Sequence, residues 1–170
     1  MREFLESGLP RDFFIDAGAK VAKSGAGSNR FAIRNLSSHA LCIDELHVGS
    51  PRAGTFTIKA HNTASTLGTS AGRITPRNAL LGVGSLLFPT GAIAYYGTNA
   101  ATSGVSLSGA YTLQTRYLGA GGNIDFCDTG PIILAPNKGF GLLCVPSSQQ
   151  TITVSCRARV LPWQTIRTIA

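Results

Sequence analysis

An all-β fold, an antiparallel β-sandwich or barrel, is the class this sequence predicts, and three observations predict it. The first is the stretch 151–160, where Ile152, Val154, Cys156, Ala158 and Val160 alternate with Thr151, Thr153, Ser155, Arg157 and Arg159. A side-chain period of two makes one face apolar and the other wet, as a half-buried antiparallel strand requires. The second is that shorter runs of the same kind recur along the chain, separated by Gly, Pro, Asn and Ser, giving roughly ten strands with turn signals about every 8 to 12 residues. The third is that no stretch longer than about ten residues combines helical periodicity with caps.

Taken in order, residues 1–24 read as an extended N-terminal arm and residues 25–170 as one sandwich domain. Phe4, Leu5, Leu9, Phe13, Phe14 and Ile15 give the arm apolar anchors, while Gly8, Pro10, Gly18 and the run from Ser24 to Ser28 interrupt it. Arg2 to Ser7 has the length of a short helical turn. An aromatic-bearing terminus has to be buried somewhere, either as a first strand of its own domain or on a neighbour. In the body, Phe31 and Ile33 alternate with Ala32 and Arg34, and Asn35 to His39 turn the chain into Leu41 to Val48. Gly49, Ser50 and Pro51 turn it again into the alternating strand Thr55 to Ala60. His61 to Asn78, rich in Thr, Ser, Gly and Ala, reads as a long exposed loop or loose hairpin. Strands resume at Leu80 to Phe88, where Gly82 and Gly84 suggest a bulge. Further strands are predicted at Ile93 to Tyr96, Val105 to Leu107, Tyr111 to Tyr117, Asn123 to Phe126, Ile132 to Leu134 and Phe140 to Val145, before the final long strand.

Charged residues make up 14% of the 170-residue chain, against about 25% in a typical globular protein. A skin so sparsely charged suits a subunit covered by neighbours. Net charge is +7, but residues 1–16 hold Arg2 and Arg11 against Glu3, Glu6, Asp12 and Asp16, a deficit of two that leaves +9 on the rest. The arginines of the body are scattered and form no basic cluster, so no direct nucleic-acid contact is expected. Cys42, Cys127, Cys144 and Cys156 lack CxxC spacing and neighbouring His, so free thiols are the default, although an even count also permits a bridge. Met1 to Phe14 carries charges throughout and lacks an apolar core, so no secretory signal is expected, and no apolar stretch approaches a membrane span.

Constellations that carry chemistry are sparse. His39, His47 and His61 are spaced by eight and fourteen residues, unlike the closely spaced pair of a metal-dependent β-barrel enzyme. His47 is in phase with Glu45, so one strand face carries two ligand-type residues. Asp44 and Glu45, adjacent on a strand, are expected to face opposite ways. Asp125 and Asp128 flank Phe126 and Cys127 and read as turn features rather than an acid–base pair. Gly119 to Asn123 precedes a strand rather than a helix, so it reads as a turn and not as a phosphate loop. Tyr95, Tyr96, Tyr111, Tyr117 and Trp163 are the residues of a stacking platform, if one exists, with core or subunit packing as the commoner use. No enzyme, metal or cofactor is expected.

Two segments carry a resemblance. Arg30 to Val48, RFAIRNLSSHALCIDELHV, resembles the opening strand pair of small structural β-sandwiches of tailed bacteriophage virions, in which a strand ending in Arg-Asn turns through serines into an apolar strand. Pro131 to Val160, PIILAPNKGFGLLCVPSSQQTITVSCRARV, is similar to their closing half. The likeness does not extend to His61–Gly122. It implies a jelly-roll-like or tumour-necrosis-factor-like sandwich that forms homotrimers and decorates the outside of a phage capsid as a cement protein. The implied partner is the major capsid protein and the implied location the virion surface, after synthesis in the host cytoplasm with no membrane stage. On that expectation Phe4, Leu5, Phe13 and Phe14 plug capsid or subunit grooves, and Arg2, Arg11, Arg157 and Arg159 meet acidic patches. The alternative is the receptor- or glycan-binding head of a phage fibre, using Tyr95, Tyr96 and the loop from His61 to Asn78.

Overall fold

Among the described residues, two antiparallel sheets of six strands each face each other across an apolar core. The structure, a computed structural model, describes residues 12–22, 28–62, 71–74, 77–78, 92–97 and 111–161. Among these the strands are β1 (Asp12–Ala22), β2 (Ser28–Asn35), β3 (Ala40–Ser50), β4 (Gly54–Asn62), β5 (Ala71–Ile74), β6 (Arg77–Asn78), β7 (Ala92–Gly97), β8 (Tyr111–Leu118), β9 (Gly122–Asp125), β10 (Ile132–Leu134), β11 (Lys138–Pro146) and β12 (Gln150–Leu161). The first sheet runs β10-β3-β12-β1-β6, with β9 sharing the β10 edge of β3. The second runs β5-β7-β2-β11-β4-β8. The predicted all-β sandwich is therefore what the chain forms.

The connectivity follows a nested pattern. β1 pairs with β12, β2 with β11, β3 with β9 and β10, and β4 with β8. The chain behaves as one long hairpin whose tip lies between β4 and β8, folded over so that successive strands change sheet. The added pairings of β12 with β3 and β11 with β4 close each sheet.

Alternation decides which residues enter the core. Ile152, Val154, Cys156, Ala158 and Val160 are buried while Thr151, Thr153, Ser155 and Arg159 are exposed. From the facing sheet come Phe31, Ile33, Phe56, Ile58, Phe140 and Leu142, all fully buried, with the rings of Phe31 and Phe140 tilted at 52° and centred 5.9 Å apart. That geometry is the favoured tilted contact of aromatic rings. Gly49 permits a close approach, because a Cβ there would lie 2.5 Å from Thr153 Oγ1 and 2.6 Å from Asn123 Oδ1.

Several sequence expectations need correction. Residues 12–22, expected within an extended arm, form β1, paired along its length with β12 and at Phe13 and Phe14 with β6. The first-strand alternative holds for this stretch because Phe13 and Ile15 gain a core that only the second sheet can complete. Within the expected loop at His61–Asn78, Ala71–Ile74 and Arg77–Asn78 are strands, paired to β7 and β1. Expected strands at Leu80–Phe88 and Val105–Leu107, the bulge at Gly82 and Gly84, and the helical turn at Arg2–Ser7 lie outside the described residues.

Candidate functional site

On the outer face of the first sheet Asp44, Glu45, His47, Arg157 and Arg159 come together. The geometry there begins with a bulge. β3 pairs Glu45 with Arg157 and Ile43 with Ala158, so Asp44 is an extra residue opposite no partner. Ile43 and Leu46 both enter the core, which turns Asp44 and Glu45 out together. Their expected opposite orientation is thus corrected, since the alternation that would separate them is broken at that point.

Arg159 Nε lies 3.1 Å from Asp44 Oδ2, and Arg157 Nη1 lies 3.4 Å from Glu45 Oε1. Glu45 Oε2 is also 3.4 Å from His47 Nε2. Cys42 sits beneath Arg159, its thiol 3.7 Å from that guanidinium and donating to Asp44 at 3.5 Å. Burial pushes the Cys42 thiol up, partly offset by the adjacent Arg159. These partly exposed pairs each contribute about 0–1 kcal/mol, so they set register and charge pattern more than stability. Asp44 and Glu45 balance Arg157 and Arg159, and the two arginines enter any contact already paired within the chain.

Apolar groups flank this charged strip. Phe14 on β1 pairs with Arg157 and is 49% exposed, and Ile133 on β10 pairs with Cys42 and is also 49% exposed. They stand three strand spacings apart, about 14 Å.

Of the residues singled out in the sequence, the structure brings together Phe14, Arg157 and Arg159 on this face. Phe13 faces the other way and is fully buried in its own domain, so it is not available as an external anchor. Arg2, Phe4, Leu5 and Arg11 lie outside the described residues. Tyr95 and Tyr96 belong to β7 of the second sheet, at positions paired with Ala32 and Phe31. The Tyr111 and Tyr117 platform is split by a second bulge at Leu113: Tyr117 pairs with Thr55 and Tyr111 with Ala60, on opposite sides of the sheet. Ile133 was missed, and Asp44 was expected to face away from Glu45. Ile133 sits in a three-residue strand too short to show alternation, whereas Asp44 had a signal, the apolar spacing of two, three and two in Leu41, Ile43, Leu46 and Val48.

The remaining acids serve turns. Asp125 Oδ1 accepts from the backbone N–H of Leu46 at 3.1 Å and of Cys127 at 2.9 Å, satisfying the β3 bulge and the turn after β9 at once. Asp128 makes a two-pronged pair with Arg116, whose guanidinium also lies 5.8 Å from the centre of the Phe126 ring. With its amide oxygen turned to the Arg116 guanidinium, Gln114 donates to Phe126 O at 3.1 Å. Among the described residues, no group of three or more His, Cys, Asp or Glu is arranged to hold a metal ion.

Comparison with protein-family models, with curated proteins and with solved structures returned no match.

Proposed function

We propose that the chain is a virion structural protein that binds the outside of a phage capsid as a homotrimer and stabilises the shell, with the major capsid protein as its partner. The observation that carries this reading is the outer face of the first sheet, where half-exposed Phe14 and Ile133 flank a strip of charges balanced within the chain. Covering such a face leaves no arginine without a carboxylate, so the partner need supply no matching charge, and the desolvation of the paired charges is offset by burial of the flanking apolar groups. The nested strand pairing supports the jelly-roll-like, tumour-necrosis-factor-like form of the sandwich.

In this reading, apolar burial supplies contact energy at about 25 cal/mol per Å². A trimer on a symmetric lattice multiplies it by avidity. Phe4 and Leu5, in the sequence that precedes β1, are proposed as further anchors, and Arg2 and Arg11 as charges that meet acidic patches.

The test uses Phe14→Asp combined with Ile133→Asp. Both side chains are half-exposed, so the variant is expected to keep its thermal midpoint within a few degrees while losing trimer mass in mass photometry and occupancy on shells assembled from the major capsid protein. Shells bearing the unaltered protein should withstand higher temperature than bare shells. Equal occupancy and equal shell protection by the variant would remove this face from the contact, and a wild-type protein that binds glycans but no shell would favour the fibre-head alternative.

A further inference from the structure

We infer that the turn from Phe126 to Gly130 is a latch, held shut across one side of the sandwich by Gln114 and Arg116 of β8, and that its release admits reagents to the Cys127 thiol while the rest of the chain stays folded. The inference is independent of the capsid reading and uses a different part of the molecule. The turn joins β9 and β10, strands of four and three residues that both pair with β3. β8 belongs to the other sheet, so contacts between β8 and this turn tie the two layers together.

The inward positions of β8 explain why the tie is polar. Gln114 and Arg116 pair in register with Ile58 and Phe56, both fully buried, so they lie on the core side of the strand. Polar groups placed there are costly unless their hydrogen bonds are used. The turn uses both. Arg116 makes its two-pronged pair with Asp128 and lies 5.8 Å from the centre of the Phe126 ring. The Gln114 amide accepts from Arg116 Nε at 2.8 Å and donates to Phe126 O at 3.1 Å. Asp128 is exposed, and hydrogen bonds from the guanidinium hold its carboxyl below the usual range.

Cys127 lies within the latched turn. It is 7% exposed, and its Sγ donates to Ile43 O at 3.3 Å. Phe126 beside it is 1% exposed, whereas residues 128–131 are open to solvent. The turn is thus joined to the second sheet by side chains and not by a strand ladder, and segments of this kind open at lower free energy than core strands do. Opening parts Asp128 from Arg116 and Phe126 O from Gln114. It leaves the ladders of β12 with β3, β11 with β4 and β4 with β8 in place.

Thiol labelling of the folded full chain reads the latch. With N-ethylmaleimide at neutral pH, the rate at Cys127, followed by peptide mass, tracks the opening equilibrium. Arg116→Met removes the ion pair, the ring contact and the Gln114 link together and should speed labelling about tenfold, while Asp128→Asn, which keeps the ring contact, should speed it about threefold. Gln114→Ala, which changes no charge, should speed it as well, and serves in place of Arg116→Met should that variant fail to fold. Cys144 and Cys156, enclosed in the core, should stay within about twofold of their rates in the unaltered chain. The double variant at 116 and 128 should label no more than about twice as fast as Arg116→Met, because both changes undo one latch. Charge acting on the thiol alone gives a different pattern: losing the cation raises the thiol pKa and slows the reaction, and losing the carboxylate does the reverse. Opposite effects of Arg116→Met and Asp128→Asn, no acceleration in any variant, accelerations that multiply in the double variant, or equal acceleration at all four cysteines would each overturn the inference.

Discussion

Asn35 is fully buried, and a buried side-chain amide is tolerated only when its donors and acceptor are all used. Its Nδ2 donates to the carbonyls of His39, Leu134 and Ala135 at 2.8, 3.0 and 3.2 Å, and its Oδ1 accepts from Ser37 Oγ at 2.6 Å and Ser37 N at 3.2 Å. Its own carbonyl receives the N–H of Asn137 at 2.8 Å. One residue thereby binds the β2–β3 turn to the β10–β11 turn. Replacing it with Ala strands several buried carbonyls, and Asn35→Ala should cost about 3 kcal/mol in urea unfolding. Asn35→Asp should cost more, because a carboxylate then faces those three carbonyls. The thiols give a second residue-scale expectation. Burial raises Cys127 to about 11 and pushes fully enclosed Cys156 up as well. An acid whose folded pKa lies above its unfolded value contributes stability that is complete below the unfolded value, near 9, and is lost as pH rises through the folded one. Denaturant midpoints should therefore fall between pH 9 and about 11, and a thiol reagent at neutral pH should count all four cysteines only after unfolding.

At the level of elements, bulges do what alternation alone cannot. The extra Asp44 in β3 puts two carboxylates on one face, and Asp125 supplies the acceptor that the displaced Leu46 N–H needs. Asp125→Ala removes the acceptor of two backbone donors, and about 2–3 kcal/mol of stability should go with it, whereas Asp125→Asn, which keeps an oxygen there, should lose less than half as much. Unfolding in urea of the two variants side by side measures the difference. These details bound what the sequence reveals. The strand at β12 was legible because ten residues alternate without a break, and the turn at Ala135–Lys138 because Pro136 and Asn137 suit its second and third positions, Asn137 sitting at φ 62°. β1 was not, since Asp12-Phe13-Phe14-Ile15 shows no clean alternation and a register shift follows between Asp16 and Gly18. The candidate face was legible only in part: Arg157 and Arg159 stand out in the alternation of β12 and Phe14 as an aromatic anchor, but the partners Asp44 and Ile133 come from a bulge and a minimal strand whose pairing is a long-range fact.

For the whole molecule, the nested topology makes the last strand the keystone. β12 lies between β3 and β1, so the first and last strands must meet before either half of the first sheet is complete. Contacts this distant in sequence require loop closure before any reward, and such folds form slowly, on the order of milliseconds to seconds. The two chain ends therefore differ in consequence. Removing residues 1–11 leaves every described strand pairing in place, and the shortened chain should keep a cooperative urea transition. Removing residues 1–22 withdraws Phe13 and Ile15 from the core and exposes the long edge of β12, which should leave an aggregation-prone product. Ending the chain at residue 149 removes β12 itself, stripping β1 and β3 of their shared neighbour together with five buried side chains, Ile152 to Val160. That product should retain some strand signal in far-UV circular dichroism yet show no cooperative unfolding transition. A sharp transition from the 1–149 fragment would mean that the second sheet is stable without β12, against the core that the two sheets share.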